Sequence, residues 1–298
     1  GQGKTAGARA ISAAPAPARA AAKTQLATRT IRGVTGPGAE AGRLLFNELG
    51  CANCHGGGTD LPARHGPELA AITQRVNVEW VKDYLAAPSK VKEGTTMPHL
   101  FADNAEAEIE AVIHYLATLK PKSASKPKTS KYLNAERGSD VYHTMGCVTC
   151  HAPGKDFQPP AGAPEAKDFT HRSVALPDMQ KKYSLATLTS FLMDPLKVRP
   201  DGRMPHIDMH DSDYADLAAY LLDYQHSDGT NAAVSPALKP DKELAAKGKV
   251  LVEAMNCASC HDLPGTKKAA PLTIKDAAAG CMSNSPKSGT PRYELSDA

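Results

Sequence analysis

Three copies of one short motif constrain this chain more than any other feature of its sequence. Cys-x-x-Cys-His occurs at residues 51–55, 147–151 and 257–261. Each copy follows a short stretch with apolar residues at helical spacing. Because a histidine follows the second cysteine in every copy, the motif is a repeated functional unit and not a chance pairing of thiols.

This spacing is typical of covalent haem attachment, in which two thiols add across the vinyl groups of one haem and the adjacent histidine becomes the proximal iron ligand. Zinc and thioredoxin-like sites also use C-x-x-C, but zinc sites pair two motifs within about 15–20 residues, and neither class demands the histidine. The sequence therefore predicts three covalently bound haem c groups. The predicted attachment and proximal residues are Cys51, Cys54, His55, Cys147, Cys150, His151, Cys257, Cys260 and His261.

The chain is an internal repeat. Each motif is preceded at fixed spacing by a glycine, a bulky apolar residue and a Gly or Asn, which are Gly42, Phe46 and Gly50, then Gly138, Tyr142 and Gly146, then Gly248, Val252 and Asn256. The pattern predicts a short helix closed by a left-handed residue just before the first cysteine. The first two units then share Leu-x-x-Pro and Met-Pro-His spacing, and each ends in a predicted amphipathic helix, at 105–119 and 211–224.

The matched methionines are predicted to be distal iron ligands. Met97 and Met204 each precede a proline in the repeated loop, and His/Met ligation of haem iron raises its reduction potential. His99 and His206, two residues further on, are the alternative ligands and would lower it.

Composition divides the chain further and excludes some functions. The net charge is only +3 over 298 residues, and no apolar run approaches the length of a membrane span, so neither nucleic-acid binding nor a transmembrane segment is predicted. We predict a basic Ala/Pro-rich tail at 1–38, haem-binding domains at 39–120 and 135–226, linkers at 121–134 and 227–241, and a partial domain at 242–298. The tail is interpreted either as a flexible linker or as a docking arm for an acidic partner.

The helix, the C-x-x-C-H motif, the variable loop, Met-Pro-His and a closing helix containing Tyr-Leu together resemble class I cytochrome c. Two phrases, around Met204 and after Cys257, are also similar to tandem cytochrome domains of large exported proteins of planctomycete-like bacteria. The resemblance implies an all-α fold of tandem small domains in which the first and last helices cross beside the haem. Gly42 and Phe46 would then meet the helix of Tyr115, and Gly138 and Tyr142 would meet the helix of Tyr220.

The third unit lacks both a matched methionine and a closing helix before Ala298. A methionine at an equivalent distance after His261 would lie beyond the last residue, so we expect the natural chain to continue. Cys281, left over after the thioethers use six cysteines, and the adjacent Met282 are the sulfur candidates for the third iron. Cys281 is the predicted ligand, while an open site or a ligand from another chain remains an alternative.

These features predict an electron-transfer protein that passes single electrons between partners outside the cytoplasm, periplasmic or extracellular. Its partners would be redox proteins, including other subunits of a complex or filament held partly by the basic tail. An enzyme of the dihaem peroxidase type, with an open distal site on the third haem, is the alternative, and a structural subunit whose haems wire a larger assembly is another.

Overall fold

The computed structural model describes residues 39–55, 64–120, 132–155, 157–158, 174–223, 238–271, 281 and 290–293. The predicted tail at 1–38 lies outside the described residues, as do most of both predicted linkers. Within the described residues the protein is helical without a β-strand, apart from one isolated bridge between His99 and Arg292. The prediction of an all-α fold is confirmed. No helix in the described part is long and apolar enough to cross a bilayer.

The α-helices of the described residues are, in chain order, α1 (Ala39–Glu48), α2 (Ile72–Arg75), α3 (Val78–Ala86), α4 (Pro88–Val91), α5 (Glu106–Thr118), α6 (Ala135–Thr144), α7 (Met179–Lys182), α8 (Leu185–Met193), α9 (Pro195–Val198), α10 (Asp211–Leu221) and α11 (Lys242–Ala254). Short 3₁₀ turns at Cys51–Asn53, Cys147–Thr149 and Cys257–Ser259 follow α1, α6 and α11.

Local sequence explains where most of these helices begin. Asn77 accepts a hydrogen bond from the Glu79 amide at the start of α3, and Asp241 accepts from two amides at the start of α11. At the start of α8, Ser184 and Thr187 form a reciprocal capping box. The predicted closing helices are confirmed as α5 and α10, both with carboxylates in their first turns, where the helix dipole favours negative charge.

The buried core is continuous and is built from two similar groups of helices. In the first, α3 and α11 pack on α5 around the fully buried Ile113 and Val252; in the second, α6 and α8 pack on α10 around the buried Leu188. The two groups meet where α7 contacts α3. There the Lys182 ammonium lies 4.3 Å from the centre of the Trp80 ring, and the Asn77 amide donates to the Lys182 carbonyl at 2.9 Å.

One of the two predicted helix crossings is confirmed. Gly138 of α6 lies against α10, where an added Cβ would come within 2.9 Å of the Tyr220 Cβ atom, and the Tyr142 and Tyr220 rings are 5.5 Å apart. Because Gly138 has no side chain, the backbones of α6 and α10 can approach closely.

The other predicted crossing is wrong. No described residue lies within 4 Å of an added Cβ at Gly42, whereas a Cβ at Gly248 of α11 would come within 2.9 Å of the Tyr115 Cβ atom. The helix of the third motif thus packs on α5, in the place predicted for α1. Two hydrogen bonds hold it there, from the Asp241 amide to His114 Nδ1 at 2.8 Å and between the Tyr115 and Thr266 hydroxyl groups at 2.7 Å.

Candidate haem-attachment sites

The three motifs adopt one backbone conformation. The residue before each first cysteine is left-handed, with φ of 74° at Gly50, 91° at Gly146 and 55° at Asn256, which confirms the predicted helix-closing residue. Glycine and asparagine suit this conformation because other side chains clash there. A 3₁₀ turn follows, and the histidine amide donates to the carbonyl of the first cysteine at 2.8, 2.9 and 3.0 Å in chain order.

The second motif is completed by residues of its own unit. His151 Nδ1 donates to the Val174 carbonyl at 2.9 Å, and the Val174 amide donates to the Cys150 carbonyl at 2.5 Å. A hydrogen bond of this kind fixes the ring orientation and the tautomer, so that Nε2 is the nitrogen available to a metal.

The third motif is completed by residues of the first unit. His261 Nδ1 donates to the Pro67 carbonyl at 2.8 Å, and the Gly66 amide donates to the Cys260 carbonyl at 2.6 Å. The segment passes so close to the ring that a Cβ at Gly66 would lie 2.7 Å from His261 Nδ1. Burial lowers the pKa of His261, so its imidazole is neutral at neutral pH, as an iron ligand must be.

The first motif differs from the other two. His55 Nδ1 is buried and has no hydrogen-bond partner among the described residues. Asn53 Nδ2 donates to the Arg64 carbonyl at 2.7 Å, and Asn256 Nδ2 lies 3.9 Å from Cys54 Sγ. The first and third motifs are therefore neighbours in the fold.

The surroundings of the thiols suit an apolar macrocycle. Burial is the main cause that raises the pKa of Cys51 and of Cys257, each to about 11, and it also raises the pKa of Cys147 and Cys260. These thiols are therefore uncharged at neutral pH. Paired thiols, each pair beside a histidine on a rigid turn, fit the attachment of a haem by thioether bonds. All six are partly buried except Cys150, which is exposed.

A cytochrome c family model matches residues 39–120 and again 135–225, together more than half of the chain. This chain belongs to the cytochrome c family. The two matched stretches confirm the resemblance to tandem class I cytochrome c domains. Haem-based electron transfer is the function that the family carries out.

This cytochrome is similar to one part of a curated protein. The chain is 34% identical over 91 residues to cytochrome c oxidase subunit 2 of Alkalihalophilus pseudofirmus, a stretch that covers 28% of the chain and 26% of the relative. The chain thus spans about a quarter of the length of that curated relative. No solved structure gives a significant match.

Both predicted distal methionines lie in equivalent loops of the cytochrome. Met97 and Met204 are half-buried and pack against the apolar core. Thr95 fixes the first loop, since its hydroxyl lies 2.5 Å from the Tyr84 hydroxyl and accepts from the Met97 amide at 3.3 Å. The choice of methionine as ligand stays a prediction.

The alternative histidine ligands are partly occupied by protein contacts. His99 Nδ1 accepts from Arg292 at 2.9 Å, while His206 is exposed and its Nδ1 donates to the Met193 carbonyl at 2.8 Å. Because Nδ1 of His99 accepts, the ring proton of His99 is on Nε2, which favours the Met97 sulfur over this ring. Nδ1 of His206 donates and leaves Nε2 available, as in His151, so the choice between Met204 and His206 stays a prediction.

Two residues near the methionine loops are held by protein contacts. Arg203, directly before Met204, forms an ion pair with Glu48 of α1. Trp80 is buried and stacks on Tyr84 with 4.9 Å between ring centres. Trp80 is therefore a core residue of α3.

After burial, the charge of Cys281, the predicted ligand of the third iron, also raises the pKa of Cys51 in the first motif. Its ligation of the third iron stays a prediction, and Met282 lies outside the described residues. Sequence reasoning missed the carbonyl groups of Pro67 and Val174. The Gly-Pro pair at 66–67 was the available signal, because it marks a rigid segment that a ring can approach closely.

Proposed function

We propose that the chain is a trihaem c-type cytochrome that carries single electrons between redox partners outside the cytoplasm, as part of a larger assembly. The repeated attachment turn supports this most directly. All three motifs combine a left-handed residue, a 3₁₀ turn and a histidine amide bonded to the first cysteine. Because the third copy has this geometry although the family model does not extend to it, we count it as an attachment site.

Each residue type has a separate role. A covalently bound haem supplies one-electron redox chemistry at its iron. In this chain the thiols of Cys147 and Cys150 would hold such a group and His151 would be its proximal ligand, while Met204 would supply the distal sulfur that raises the potential. The equivalent residues of the other units are Cys51, Cys54 and His55, then Cys257, Cys260 and His261, with Met97 as the second distal methionine.

The proposed location and partners rest on separate arguments. Thioether-linked haem implies export before attachment, which favours a place outside the cytoplasm. The basic segment 1–38 would dock on an acidic partner, and the partial match to a protein named as an oxidase subunit favours membership of an assembly. Electron transfer between such partners requires no substrate-binding site on this chain.

The central test is a haem count on the denatured protein. Thioether bonds survive unfolding, so a pyridine haemochrome assay on the full chain should give three haems per polypeptide. The matched variants Cys51→Ala/Cys54→Ala, Cys147→Ala/Cys150→Ala and Cys257→Ala/Cys260→Ala should each give two. Two or fewer haems in the parent protein would contradict the proposal.

A further inference from the structure

We propose that the third attachment motif, and not the first, completes the first cytochrome fold, so that His261 and Met97 are the axial ligands of one iron. The inference rests on the proposed function, because it requires a haem at Cys257 and Cys260. It pairs a proximal histidine with a distal methionine that precedes it in the chain, across the whole second unit.

The helix crossings of the first and second units match. In the second unit, whose parts are contiguous, a Cβ on Gly138 of α6 would meet the Asp216 carbonyl group and the Tyr220 Cβ atom, the latter at 2.9 Å. A Cβ on Gly248 of α11 would meet the Ala111 carbonyl group and the Tyr115 Cβ atom, again at 2.9 Å. The two crossings therefore share one geometry and one register, and α11 takes on α5 the place that α6 takes on α10.

Two proximal histidines are oriented by the same kind of contact, a hydrogen bond from Nδ1 to a backbone carbonyl. His151 Nδ1 is bonded to a carbonyl of the segment that follows its own motif, at 2.9 Å. His261 Nδ1 is bonded to the Pro67 carbonyl at 2.8 Å, in the segment that follows the first motif. The first unit therefore orients the third histidine as the second unit orients its own.

Neither feature is found for the first motif among the described residues. Within them, Gly42 of α1 has no close neighbour and the buried His55 Nδ1 has no hydrogen-bond partner. The end of α1 instead contacts other segments, since Glu48 pairs with Arg64 at 3.2 Å and the Leu49 carbonyl accepts from the Tyr293 hydroxyl at 3.0 Å. The position on α5 is occupied, so α1 cannot present His55 there.

The distal side follows from the repeat. Met97 comes after α3 and α4, of which α3 packs on α5, just as Met204 comes after α8 and α9, of which α8 packs on α10. A methionine in this position binds the haem attached to the motif that follows the helix packed on the closing helix. On α5 that helix is α11, and its motif is the third one. Met97 is therefore the distal ligand of the third haem, the role predicted from the sequence for Cys281.

The test compares three matched glycine substitutions in the full chain: Gly248→Val, Gly42→Val and Gly138→Val. The readout is the set of axial methionine methyl resonances of the reduced protein, which haem ring currents shift strongly, assigned by Met97→Ala and Met204→Ala. We expect Gly248→Val to remove the Met97 resonance, Gly138→Val to remove the Met204 resonance, and Gly42→Val to preserve both. Loss of the Met97 resonance in Gly42→Val, with its survival in Gly248→Val, would overturn the pairing.

A second set of variants tests the pairing without disturbing the helix crossing. Cys257→Ala/Cys260→Ala, which lacks the third haem, should lose the Met97 resonance, and Cys51→Ala/Cys54→Ala should keep it. The reverse result would overturn the pairing while a count of three haems still supported the proposed function. Cys281→Ala should leave the ferric low-spin spectrum of the third haem unchanged. If this variant lost the low-spin spectrum, Cys281 and not Met97 would be the ligand.

Discussion

Asp216 offers a quantitative test of how the second unit is held together. Its carboxylate lies on α10, is 1% exposed, and accepts hydrogen bonds from the Asn134 amide at 2.8 Å and from Arg137 Nε at 2.5 Å. Arg137 Nη2 also lies 2.5 Å from the same carboxylate. Because Asn134 caps α6 and Arg137 lies in its first turn, one buried group ties α6 to α10.

The substitution Asp216→Ala should destabilise the second unit by about 3 kcal/mol. Breaking a fully buried ion pair costs about 3–5 kcal/mol, but the Arg137 side chain is 48% exposed and keeps Asp213 at 3.5 Å, so we take about 2 kcal/mol for the pair. The Asn134 amide, left without its acceptor, adds about 1 kcal/mol. An alanine fits this helix crossing, since Ala111 of α5 faces Gly248 in the way that Asp216 of α10 faces Gly138.

Calorimetry of the haem-loaded chain would measure this effect. A loss of about 3 kcal/mol lowers the melting temperature of a unit of this size by more than about 10 °C, and the transition of the first unit should not move. Arg137→Ala should cost at least as much, because it leaves the buried carboxylate without its cation. A shift of less than about 3 °C in Asp216→Ala would refute the reasoning.

Two further predictions concern contacts between distant parts of the chain. Tyr115→Phe and Thr266→Val should each lower the free energy of unfolding by about 1 kcal/mol. The double variant should lose less than the sum of the two, and strict additivity would show that the 2.7 Å contact between the Tyr115 and Thr266 hydroxyl groups is absent. Lys182, whose pKa is lowered chiefly by burial and then by Arg199, binds fewer protons folded than unfolded, so the parent should gain stability as pH rises toward the ordinary lysine pKa of 10.5. Lys182→Met should lack this gain, and an unfolding free-energy difference between the two proteins that is constant from pH 7 to about 9.5 would contradict it.

The local features of the sites could be predicted from the sequence. The left-handed residue before each cysteine pair, the closing helices α5 and α10, and the crossing of Gly138 with Tyr220 all depend on neighbouring residues or on a repeat within one unit. The packing of α11 on α5 could not be predicted in the same way. Gly42 and Gly248 occupy equivalent positions in equivalent helices, so the spacing pattern offers α5 two partners and does not distinguish them.

The choice depends on contacts that lie outside the repeat. The His114 ring accepts from the amide that begins α11, and the Thr266 hydroxyl, which comes after the third motif, contacts Tyr115. Such pairs join residues that are far apart in the chain, and no local pattern indicates them. The contact of Lys182 with Trp80 is of the same kind, because a buried lysine over an aromatic ring gives no signal in hydrophobic spacing.

The return of α11 to α5 makes the first unit discontinuous, with the second unit inserted between its two parts. A chain that emerges from the ribosome N-terminus first can therefore finish the inserted unit while the surrounding unit still lacks its last helix. Contacts of such long sequence separation form slowly, so the outer unit should mature last. Proteolytic cleavage between the two units would leave the outer fragments associated through α5 and α11, and the cut chain would separate only when that helix pair is unfolded.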